Sequence, residues 1–169
     1  MKEAFKVMDA FLRNDIPGLR NLSDGILAKG AIEENKDLVE LSIVAHALSK
    51  ILQKEYYKKD RKLWKSFVND IVNGLKDVGS GKKNVEEIVN RIKSLDEHFG
   101  RYSDNIIHMS RIRRGSTLYA WGFSLTLASS LVGAPEHEIM SHTGKTKIVD
   151  EENVSRSASE RLKDAEEIL

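Results

Sequence analysis

The chain has 169 residues, 40% apolar and 31% charged, with two prolines, eleven glycines and no cysteine. That supports one soluble domain with a buried core and excludes a disulfide scaffold, a thiolate zinc site and a cysteine nucleophile. Lys and Arg number 27 against 26 Asp and Glu, so net charge does not argue for a nucleic-acid partner.

The period is helical along the whole chain. Phe5, Met8 and Leu12 share a stripe with Ala4, Val7 and Phe11 beside it, the spacing of an amphipathic helix. Asp15 and Pro17 open a second helix carrying Leu19, Leu22 and Ile26, and Gly30 is expected to end it. A third helix starts near Asn35 or Asp37 and, with Leu38, Leu41, Val44, Ala45, Leu48, Ile51 and Leu52, is the most apolar. After a charged run from Lys58 to Lys62 comes a stripe of Trp64, Phe67, Ile71, Leu75 and Val78; residues 37–78 read as one bent helix or two joined tightly. Gly79-Ser80-Gly81 is a stop. Asn84 is the expected cap of a fifth helix (Val85, Ile88, Ile92, Leu95, Phe99), a sixth runs from Ser103 to about Trp121, two short ones cover 124–132 and 135–142, and a thin stripe over 153–169 predicts a last helix that docks on a neighbour. No sustained strand is present. The expected fold is a single all-α domain, 1–169, a multi-helix bundle of about eight helices.

The N-terminus lacks the pattern of a secretory signal, and the uncharged stretch Gly115–Ala134 carries too many Ser, Thr and Gly residues for a comfortable span. The expectation is a cytoplasmic protein with no membrane association. The small-residue-rich helices and the thin final stripe favour a homo-oligomer, with a protein partner as a further option.

Residues 124–142 carry the spacing of a helix–turn–helix-like hairpin near the C-terminus. Ser124 is a cap, Ser129 and Gly133 are the small residues of the crossing, and Ile139 is the apolar residue after the turn. Arg111, Arg113, Arg114, Lys145 and Lys147 are the candidate nucleic-acid contacts. Against that reading, the second helix presents Glu136, His137, Glu138 and His142, and carboxylates repel phosphates. Structural packing of the hairpin is preferred, with the arginines splayed over different faces as solvated groups or partners of acidic helices.

The stretch from Ile139 to Ile148, after the Ser-Leu…Leu-Val-Gly run, resembles uncharacterised archaeal all-helical proteins of unknown function, as does the basic helix Arg111 to Trp121. The resemblance covers about a quarter of the chain. The hairpin is also loosely similar to short bacterial and archaeal antitoxins. The resemblance implies a helical fold and assigns no functional residue.

Other chemistry is weakly supported. Gly79-Ser80-Gly81-Lys82-Lys83 lacks the hydroxyl residue of a phosphate loop, and Gly144-Lys145-Thr146 has Ile139 where that loop needs a glycine. The preferred reading of both glycines is a helix C-cap. Glu138 and His142, four apart, are weak metal candidates, but two ligands do not make a site. His46 is expected to be a hydrogen-bonded core histidine. Tyr56 and Tyr57 among Lys54, Lys58 and Lys59 could stack bases but read better as core. No cofactor is implied and an enzyme is not favoured. The expected function is a non-catalytic helical interaction or regulatory protein; the alternative is a nucleic-acid-binding transcriptional regulator using the 124–142 hairpin.

Overall fold

A computed structural model describes residues 1–100 and 105–150, with side chains described through residue 144. The expected helix over 153–169, and the start of the sixth helix at Ser103, lie outside the described residues.

The described residues form an all-helical bundle: α1 (Lys2–Leu12), α2 (Ile16–Ile32), α3 (Lys36–Gln53), a 3-10 turn (Glu55–Lys58), α4 (Arg61–Gly79), α5 (Glu86–His98), α6 (Ile106–Ala120), α7 (Leu125–Val132) and α8 (Glu136–Asp150). No helix among them is long and apolar enough to cross a membrane. The helix starts are local chemistry. The side chains of Asp15, Asn35, Asp60 and Ser124 accept from the backbone N–H groups of Gly18, Leu38, Leu63 and Leu127, each satisfying a donor that the first turn leaves free.

α3 is the centre. From Leu38 to Leu52 every residue except Glu40 and Lys50 is buried, because α1, α2, α5, α6 and α7 all pack on it. A helix apolar on all sides is stable only when sheathed in this way. The most extensive helix pairing, α2 on α3, is unusually close. Gly30 is buried inside α2 and does not end it. A Cβ there would lie 2.9 Å from the Val39 backbone nitrogen, so the missing side chain brings the two backbones together. The reversal comes later, at Glu33 and Glu34, where Glu34 takes φ +49°.

Residues 37–78 form two helices. The break is held by Tyr57, fully buried in the 3-10 turn. Its hydroxyl donates to the buried Asp96 carboxylate of α5, and the second oxygen of Asp96 accepts from the Ile106 N–H at 2.6 Å. One carboxylate thus ties the turn, α5 and the start of α6, where the helix dipole favours negative charge. Burial, then the hydrogen bond to Asp96, pushes the phenol pKa well above its ordinary value.

Two further expectations are corrected. Asn84 does not cap α5: Val85 is already in the helical region and 2% exposed, so its burial sets the entry and its carbonyl accepts from Ile88 and Val89. α8 continues to Asp150 and contains Gly144 in its interior, so that glycine is not a C-cap. At the end of α4 the left-handed position is Gly81, at φ +73°, with Lys82 N–H donating to Asp77 O at 2.9 Å.

The glycines of α2 offer a matched test. Gly25 is exposed with nothing near its absent side chain, so Gly25→Ala should stabilise by about 0.5–1 kcal/mol through helix propensity. Gly30→Ala has the same intrinsic gain but should destabilise by about 1–3 kcal/mol through overpacking against Val39. Chemical denaturation midpoints check both; a stabilised Gly30→Ala would refute the close approach. Asp96→Ala strands the Tyr57 hydroxyl and the Ile106 N–H, and should cost about 3 kcal/mol in the same assay.

Candidate functional site

The three arginines at 111–114 emerge from α6 in different directions, and the structure gives them different work. Arg111 pairs with Glu40, one of the two unburied positions in the middle of α3, and donates to the Val132 carbonyl at the end of α7 at 2.6 Å. Gly133, at φ +64°, leaves room for it: a Cβ there would lie 3.0 Å from the guanidinium. Arg114 pairs with Asp24 of α2 and donates to Ser23 at 3.3 Å. Arg113 is exposed. Lys145 and Lys147 lie in α8, and their side chains are outside the described residues.

In the 124–142 segment α7 and α8 pack against each other. Ala128, Val132 and Ile139 are fully buried and Ala134 nearly so, and Ser129 donates to the Ala134 carbonyl at 2.7 Å. α6 approaches at Gly115, where a Cβ would lie 2.6 Å from the tip of Ile139. Of the metal candidates, Glu138 turns to His108 of α6, Oε2 to Nε2 2.7 Å, which links α8 to α6. His142 is not brought into a cluster: among the described residues no three His, Asp or Glu side chains group as a metal site. Tyr56 and Tyr57 pack with each other and with Phe99, ring centres 4.2 to 5.8 Å apart, so both rings belong to the core.

A site that the spacing of single motifs did not indicate lies between α3 and α6. His46, Lys50, Gln53 and Lys54 follow one another at helical spacing down one side of α3, where the C-terminal dipole favours cations. Ile106, Met109, Ser110 and Arg113 do the same on α6. Together they line a cleft of about 360 Å³. Its floor is His46, 6% exposed, whose Nδ1 shares a hydrogen bond with Ser110 Oγ at 2.9 Å. Lys50, Lys54 and Arg113 have no carboxylate within ion-pair distance among the described residues; Lys54 has only the Tyr56 ring, 5.8 Å away.

Crowded like charges leave a mark. Burial, and after it the charges of Arg113, Arg20, Lys54 and Arg114, lower the Lys50 pKa below its ordinary value. Burial first, then Arg114, Lys50, Arg113 and Arg20, holds His46 down to about 3, so its ring is neutral at physiological pH. The other clefts mix signs: Lys36, Asp37, Glu40, Glu86, Lys93 and Arg111 in one, Asp70, Asp77, Lys83, Glu87 and Arg91 in a second. Among the described residues the α3–α6 cleft is lined by cations and no acid.

The sequence held a signal for this site: within the continuous apolar run of α3, Glu40 and Lys50 are the only charged residues between Leu38 and Leu52. Comparison with protein-family models, curated proteins and solved structures returned no match for this chain.

The His46 ring sets a pH dependence. Unfolded, it takes a proton as pH falls through about 6.5; folded, it resists until about 3. Between those values the unfolded state binds more protons, so stability is complete above the window and falls as pH falls through it, by up to ~1.4 kcal/mol per unit. Denaturation of wild type and His46→Gln between pH 6.5 and 5 checks this: the variant should show the shallower decline, and equal slopes would refute the buried neutral ring.

Proposed function

We propose that this chain is a non-catalytic helical interaction or regulatory protein that works by reversible binding of an anionic partner in the α3–α6 cleft. The observation that carries the reading is the convergence of Lys50, Lys54 and Arg113 on one concave surface with no carboxylate among the described residues within ion-pair distance of them, while Arg111 and Arg114 of the same basic run pair inside the bundle. Unmatched charges held close together raise the energy of the empty protein and lower it again when an anion binds. A cytoplasmic setting and self-association belong to the same proposal; Trp121 and Met140, each nearly half exposed, are the apolar surface that supports the latter.

Nucleic-acid binding through the 124–142 hairpin is the second reading. The capped, tightly turned α7–α8 pair favours it. The acidic first turn of α8, Glu136 and Glu138, works against it, and among the described residues Arg113 alone of the three arginines has no ion-pair partner.

Amide NMR titrations with poly-glutamate, a short DNA duplex and inorganic pyrophosphate separate the readings. The proposal expects at least one anion to shift resonances around Lys50 and Arg113, with the shifts lost in Lys50→Gln and Arg113→Gln and the probe recovered unchanged. Duplex-induced shifts centred on the first turn of α8 would replace it with the second reading. Silence of the cleft toward all three anions would refute it.

A further inference from the structure

Resting on that reading of the cleft, we infer that its occupant is a phosphorylated small molecule, with adjacent phosphates held by Lys50, Lys54 and Arg113 and a ring or apolar portion lying on Ile106 and Met109. Three features of the cleft select this chemistry. Lys50 and Lys54 at the end of α3 and Arg113 on α6 line one open cleft of about 360 Å³. That charge density is matched by a compact group bearing two or more negative charges. Carboxylates strung along a peptide would meet it one at a time. Arg113 brings a planar fork suited to two phosphate oxygens, and the lysines bring compact point charges that tolerate either oxygen.

The cleft is also asymmetric. Its cationic side comes from the last turn of α3, beside which Arg20 of α2 adds a further charge. Its other side, from α6, is Met109, 38% exposed and so open to contact, beside the buried Ile106, with Arg113 one turn further along the same helix. Pockets for small organic ligands combine a mostly apolar wall with a few convergent polar groups, and a flexible thioether adapts to a flat ring. The floor supplies polarity without charge: His46 is neutral and shares its Nδ1 with Ser110. A neutral floor adds no further positive charge to the cations of the empty cleft.

Isothermal titration of the full chain with pyrophosphate, ADP, a tricarboxylate and poly-glutamate tests the inference. ADP should bind at least threefold more tightly than pyrophosphate. Lys50→Gln and Arg113→Gln should each weaken both by about tenfold, while Lys65→Gln, an exposed cation of α4 away from the cleft, should weaken neither. Met109→Ala should remove the advantage of ADP and leave pyrophosphate unchanged. Circular dichroism of each variant reports whether it is folded, and Met109→Ala together with Lys54→Gln provides a second pair should Lys50→Gln misfold. Binding of the tricarboxylate or poly-glutamate with none of either phosphate would overturn the phosphate assignment and leave the anion-binding role standing. No binding of any of the four would overturn both.

Discussion

The burial of α3 on every side governs this molecule. A rod of fifteen residues from Leu38 to Leu52 leaves only Glu40 and Lys50 outside the core, and five other helices exist, structurally, as its sheath. An apolar helix exposed on any face would be an aggregation surface. Once covered, it imposes a condition on its two charges, because neither can be left far from water or an opposite charge without loss. Glu40 is matched by Arg111. Lys50 is placed at the mouth of a cleft, where its charge is met by other cations instead of an acid.

The basic run of α6 divides along the same line. Arg111 reaches across to α3 and closes the end of α7 in one gesture; Arg114 reaches to α2. Both act as fixings for the tertiary structure, and both are partly buried, where an ion pair is screened less by salt than one on the surface. The two residues between them in function, Arg113 and the half-buried Lys50, are left with one another. That concentration of like charge, unmatched among the described residues, is the feature on which the proposed anion binding rests.

The hairpin formed by α7 and α8 illustrates how a backbone pattern differs from a function. Its cap, its left-handed glycine and its buried Ile139 follow from sequence spacing and require only that the two helices cross closely over α6 at Gly115. The same spacing serves any tight helical pair. Its outer chemistry is a separate matter, and there Glu138 is engaged with His108, a contact within the bundle.

Periodicity and capping chemistry were sufficient to read the class of fold, the starts of α2, α3 and α7, and the identity of the most buried helix, because these depend on neighbours within four positions along the chain. They failed where a distant surface decided. Gly30 was a plausible helix stop until α3 required a close approach at that position; Asn84 was a plausible cap until the burial of Val85 fixed the entry to α5; Gly144 was a plausible stop in a helix that runs on. The cleft was out of reach for the same reason. His46 and Ser110 meet across 64 residues, Arg111 and Glu40 across 71, Arg114 and Asp24 across 90. Local sequence determined which faces were apolar and where several helices begin, whereas the packing of α6 on α2 and α3 decided which cations would pair with a carboxylate and which would line the cleft without one among the described residues, since Coulomb energy follows distance in space and not separation along the chain.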